Sequence, residues 1–75
     1  MSEEIIIGKN PVMEALSSGR SVNKVFVSEH LNPSTVSKLK QRAKEAGTIV
    51  QKVAKFKLDS LSDGNHQGIV AYVAS

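Results

Sequence analysis

The stretch from Lys24 to Val53, KVFVSEHLNPSTVSKLKQRAKEAGTIVQKV, decides the fold class. Its opening, Lys24-Val25-Phe26-Val27-Ser28, is an apolar run too short for a helix and reads as a strand. Asn32-Pro33 then sets a capping side chain before a proline at the first helical position. Val36, Leu39, Ala43 and Ala46 recur at spacings of three, four and three, one stripe of a helix that Gly47 closes. Thr48 to Val53 is β-branched and reads as a second strand. A strand, a well-capped amphipathic helix and another strand in succession point to an α/β fold.

The flanks continue the alternation. On the N-terminal side, Ile5-Ile6-Ile7 reads as a short buried strand ended by Gly8. Asn10-Pro11 repeats the cap-and-proline signal, Val12, Ala15 and Leu16 fall at helical spacing, and Ser17-Ser18-Gly19 ends the helix with Gly19 as a left-handed cap. On the C-terminal side, Phe56, Leu58 and Leu61 suggest a short helix, and Ser62-Asp63-Gly64-Asn65 is turn chemistry. Ile69 to Val73 is a last strand whose continuous apolar character predicts cover on both faces. The order β-α-β-α-β-α-β contains no repeat, linker or low-complexity stretch, so residues 1–75 read as one domain.

Composition narrows the function classes. A chain of 75 residues buries roughly 60% of the surface its unfolded form exposes, which makes for modest stability. It has no cysteine, which removes disulfide scaffolds, zinc ribbons and thiol nucleophiles together. Two histidines, His30 and His66, are too few for a dedicated metal site. No apolar run approaches the roughly 20 residues of a membrane span, and the N-terminus lacks a basic leader, so a cytoplasmic protein without membrane contact is expected. The net charge of +3 leans towards a polyanionic partner. Only Phe26, Phe56 and Tyr72 are aromatic, so phosphate, shape and backbone contacts are expected to outweigh base stacking. Phosphate-binding, dinucleotide, zinc-protease and serine-hydrolase signatures are all missing. Asp59 and Asp63 lie four apart, one in a helix and one in a turn, and no catalytic set is visible.

Four clusters could still bind a ligand. Gly8-Lys9-Asn10-Pro11 stands where a strand gives way to a helix, whose free N–H groups and positive dipole end suit phosphate; on spacing alone a tight turn with a cap and a solvated lysine is the better explanation. Arg20, among Ser17, Ser18 and Ser21, suits a phosphate clamp or plain solvent. Asn65-His66-Gln67-Gly68 gathers three side chains that donate and accept hydrogen bonds beside a glycine that permits close backbone approach. There, His66 reads as a general base or as a loop organiser, and no partner carboxylate is evident beside it. Lys38, Lys40, Arg42 and Lys44 form a basic helix flank, the ordinary composition of a solvated face.

Three segments together carry a family resemblance: IIGKNPVMEAL (Ile6 to Leu16), KVFV (Lys24 to Val27) and DGNHQGIVA (Asp63 to Ala71). With these the chain resembles the N-terminal substrate-binding domain of SpoU-type (TrmH family) RNA 2'-O-ribose methyltransferases. It is most similar to that of bacterial enzymes that methylate a guanosine ribose of large-subunit ribosomal RNA. The resemblance implies a three-layer α/β/α sandwich with a mixed four-stranded sheet, like kink-turn-binding ribosomal proteins, its last strand antiparallel in the middle of the sheet. It also implies a knotted catalytic domain downstream that binds S-adenosylmethionine and forms the parent's homodimer. The chain itself would then be a monomeric docking module without cofactor or catalytic residue, partnered by ribosomal RNA and by its own catalytic domain.

Carried over residue by residue, the resemblance marks Gly8, Lys9 and Asn10 as RNA contacts, with Gly8 and Gly68 allowing backbone approach. Arg20, Asn65, His66 and Gln67 complete the candidate RNA-binding set. Pro11 replaces the glutamate usual in kink-turn proteins, a departure from their specific recognition pattern. Two other readings stand beside this one: a stand-alone kink-turn or ribosomal protein, and a scaffold domain of the same enzyme that does not touch RNA.

Overall fold

A computed structural model describes residues 3–62 and 66–74. The elements run β1 (Glu3–Ile7), α1 (Lys9–Ser17), β2 (Val22–Ser28), α2 (Pro33–Ala46), β3 (Ile49–Val53), α3 (Lys55–Leu61) and β4 (Ile69–Ala74). The four strands form one sheet in the order β1-β4-β2-β3. β4 pairs antiparallel with both β1 and β2, and β2 pairs parallel with β3. The last strand therefore lies inside the sheet and runs against its neighbours, as the resemblance implied.

Side-chain alternation along the strands builds a core on each face. Val12, Ala15 and Leu16 of α1 and Leu39 and Ala43 of α2 pack over Val25, Val27, Ile69, Ala71 and Val73. On the other face, Leu58 of α3 packs with Phe26 and Val70, ringed by Ile7, Val53, Leu61 and Tyr72. Phe26 and Tyr72 meet edge to face with centroids 5.7 Å apart, the arrangement ring quadrupoles prefer. Two helices above and one below make the expected three layers.

The caps divide into one foreseen and one not. Asn32 caps α2, its side chain accepting from the Ser34 N–H at 2.9 Å, with Pro33 at the first position. At the far end Gly47 takes φ 74°, and the Gly47 and Thr48 amides return to the Lys44 and Ala43 carbonyls, closing the turn as a Schellman motif does. In α1 the expected Asn10 cap is corrected. The helix starts at Lys9 behind Gly8, whose φ of 95° only glycine adopts freely. The Lys9 N–H is met by Gln67 Oε1 at 3.2 Å, so the cap comes from 58 residues away. Pro11 falls within the first turn, where a missing N–H costs no helical bond. Gly19 adopts φ 82° just past the helix, as expected.

Of the three apolar residues that signalled α3, Leu58 is fully buried whereas Phe56 is 76% exposed. Two positions along a helix turn a side chain by about 200°, so the two residues face opposite ways.

Leu39 is fully buried between α2 and the sheet, so Leu39→Ala should cost roughly 2–5 kcal/mol in urea unfolding. Ile49→Thr, at an exposed position on the edge strand β3, should change stability by only about 0.5 kcal/mol.

Candidate functional site

The insertion of β4 between β1 and β2 decides which loops meet. Because it runs antiparallel, its N-terminal end lies beside the C-terminal ends of β1 and β2. Gly8 donates its N–H to the Ile69 carbonyl at 3.1 Å, and Ser28 donates its N–H to the Gly68 carbonyl at 2.8 Å. The two clusters flagged in the sequence, Gly8-Lys9-Asn10 and His66-Gln67-Gly68, thus adjoin at one end of the sheet. Glu29 N–H bonds the Val53 carbonyl at 3.0 Å, which brings the β3–α3 junction to the same end.

The loop before β4 is held from inside. His66 is 6% exposed. Its Nδ1 accepts from the Gly68 N–H at 2.9 Å and its Nε2 lies 2.7 Å from Asp59 Oδ1. A ring that accepts at Nδ1 carries its proton at Nε2, so Nε2–H donates to the carboxylate. Both nitrogens are therefore engaged within the fold. The expectation that no carboxylate stands beside His66 is corrected: Asp59 of α3 fills that place. The sequence signal was an acid near a helix end, seven residues before a histidine across a turn. Pairing Asp59 with Asp63 instead obscured it, and Asp63 lies outside the described residues, as does the candidate Asn65.

Gln67, unlike its neighbour, points outward. It is exposed and takes φ 53°, the left-handed region that non-glycine residues seldom occupy. That conformation carries its Oε1 to the Lys9 amide. Gly68 takes φ 79°, which strains any other residue, and a Cβ there would sit 3.3 Å from both Leu31 Cδ1 and Ser28 Cβ, tight enough that these neighbours would have to give by a few tenths of an ångström. Lys9 and Asn10 are exposed on the first turn of α1, and Asn10 is released from capping.

Two grooves leave this end. One of about 380 Å³ runs between Ser28, His30, Leu31, Lys55 and the His66–Gly68 loop. The other, about 560 Å³, lies between the two upper helices and brings Lys9 and Asn10 together with Lys38, Arg42 and Glu45. The basic flank noted in the sequence is thus split. Lys38 and Arg42 share the groove with Lys9, and Arg42 also donates to Ser17 Oγ across the helices. Lys40 and Lys44 are exposed and line neither groove.

Arg20 does not join the cluster. It follows α1, a helix roughly 13 Å long, and so lies at the opposite end of that helix from Lys9. There it pairs with Glu4 at 3.5 Å, both side chains substantially exposed. A third groove of about 340 Å³ connects Asn10 to Arg20 along α1, but Glu14 stands on its wall.

Among the described residues, no buried side-chain nitrogen or oxygen lacks a hydrogen bond, no helix is long and apolar enough to cross a membrane, and no cluster of His, Asp and Glu could hold a metal ion.

Residues 5–75 match the SpoU family described as RNA 2'-O ribose methyltransferase substrate binding. Over 74 residues the chain is 39% identical to a protein of Staphylococcus haemolyticus named for the TrmH family of tRNA/rRNA methyltransferases, and 35% identical to one of the same name in Staphylococcus aureus (strain COL). Each match covers 99% of this chain and 30% of the relative, so the chain spans under a third of the length of these curated relatives. A solved protein of unknown function from Bacillus halodurans shares the fold, with a TM-score of 0.73 at 22% identity over 95% of this chain and 71% of its own.

The two bonds of His66 should differ in worth. His66→Ala leaves the part-buried Gly68 N–H without its acceptor and should cost roughly 1–3 kcal/mol. Asp59 is 56% exposed, so water can replace it, and Asp59→Ala should cost about 1 kcal/mol or less. Urea unfolding of both variants measures the order; equal costs would contradict it.

Proposed function

Since the chain belongs to the SpoU family of RNA 2'-O ribose methyltransferase substrate-binding domains, we propose that it docks folded ribosomal RNA for a methyltransferase that modifies a guanosine ribose. The observation that carries this reading is the direct bonding of the two matching loops, Lys9 N–H to Gln67 Oε1, at one open end of the sheet. Residues far apart in sequence are thereby joined into one polar surface: the Lys9 ammonium, the Asn10 amide and the outward NH₂ of Gln67. His66 shapes that surface from within, since its ring nitrogens are both occupied.

Charge suggests where the RNA backbone runs. The groove between α1 and α2 offers Lys9, Lys38 and Arg42 against one acid, Glu45. The groove towards Arg20 offers one cation, already paired with Glu4, against Glu14. Phosphates are therefore better served by the first path, with Arg20 as an outlying contact. Few contacts of this kind give weak, salt-sensitive binding.

Catalysis in this reading belongs to the part of the protein outside these residues, as the greater length of the relatives suggests. S-adenosylmethionine would be held there. The domain's contribution would be tethering, which raises the local concentration of target RNA at the second site. The relatives' length also favours a docking module of a larger enzyme over a stand-alone ribosomal protein; in this reading that enzyme is cytoplasmic and dimeric through its catalytic half.

Titration with a ribosomal RNA fragment, followed by amide NMR at low salt, should move the Lys9, Asn10 and Gln67 resonances first. Lys9→Glu should weaken binding roughly three- to tenfold and flatten the salt dependence. A scaffold that does not touch RNA would show neither effect.

A further inference from the structure

Phe56 is 76% exposed, the most exposed large apolar side chain described. The other two aromatic residues pack against each other, and Leu58 of the same helix is fully buried. Single exposed apolar residues are common on protein surfaces, so position and neighbours must carry the argument. Lys55 and Lys57 flank the ring in sequence, and Lys55 lines the groove beside the His66–Gly68 loop. Asp59 lies three residues on, so it shares a flank of α3 with Phe56. Asp59 is the residue that reaches His66 at 2.7 Å. The ring thus stands on the flank of α3 that is bonded to the candidate site, one position along the helix from the Lys55 that lines the groove, while the Lys57 ammonium lies 5.8 Å from the centroid of the Phe26 ring.

We propose that Phe56 is a stacking platform for an unpaired nucleobase of the bound RNA, with the adjoining phosphate met by Lys55. An exposed ring offers any base a π-face, and a neighbouring ammonium neutralises the phosphate that accompanies the base. A base splayed from a loop would lie over the ring while its nucleotide enters the groove of about 380 Å³. This rests on the RNA-docking reading and adds to it a class of target: RNA with at least one unpaired nucleotide, in preference to continuous duplex. It also revises the composition-based expectation, since one ring in the right place suffices for one base.

The chain has no tryptophan, so Phe56→Trp installs a single indole reporter. The probes are an RNA hairpin with an unpaired loop and a blunt RNA duplex of equal length. Stacking predicts that the hairpin quenches the indole emission and the duplex does not. It further predicts that Phe56→Ala weakens hairpin binding roughly 5- to 100-fold, while Phe56→Leu fails to restore it. As Phe56 is outside the core, both variants should unfold at the same urea concentration as the parent. Two results would overturn the proposal and leave RNA docking standing: hairpin binding that moves the Lys9 and Gln67 amides without quenching the indole, or Phe56→Leu binding as well as phenylalanine. If neither RNA binds and no amide moves, RNA docking fails, and the stacking platform with it.

Discussion

Everything at the candidate site depends on one topological constraint, the antiparallel insertion of β4 between β1 and β2. A parallel strand in that place would start at the other end of the sheet and carry His66, Gln67 and Gly68 away from Lys9. Run antiparallel, β4 completes the sheet with its own backbone and delivers a polar loop to the ends of two neighbours. Its interior position also explains the unbroken apolar run Ile69 to Val73, which needs helices on both faces.

The surface built on that constraint combines a rigid part and an available part. Gly68 fits closely against Leu31 and Ser28, and His66 is bonded at both ring nitrogens. Lys9, Asn10 and Gln67 stand out from that base towards solvent. A side chain held by a rigid support loses less freedom on binding, which offsets part of the cost of a small contact area.

Local chemistry made much of this readable from the residues. Asn32-Pro33 and Gly47 bracket α2 because cap preferences act over three or four residues. The strands announced themselves by β-branched runs. What periodicity could not show was adjacency. That Gly8-Lys9-Asn10 and His66-Gln67-Gly68 touch follows from strand order, which came only with the family resemblance. Asn10 was misread as a cap for the same reason: its competitor, Gln67, meets the Lys9 amide from 58 residues away. The Asp59–His66 bond likewise joins residues seven apart, outside any one periodic stretch, and Arg20 is separated from the cluster by the length of a helix that nearness in sequence conceals.

The distance between Lys9 and Gln67 along the chain has a kinetic meaning. Among the described residues β1 pairs with no strand except β4, the last strand of the domain to be made. Until β4 arrives, β1 has no neighbour in the sheet and the first turn of α1 lacks the oxygen that Gln67 supplies. The β2–α2–β3 unit can gather earlier through shorter loops. The polar surface is therefore among the last parts of the domain to form, and a nascent chain cannot present it to RNA before β4 has been made.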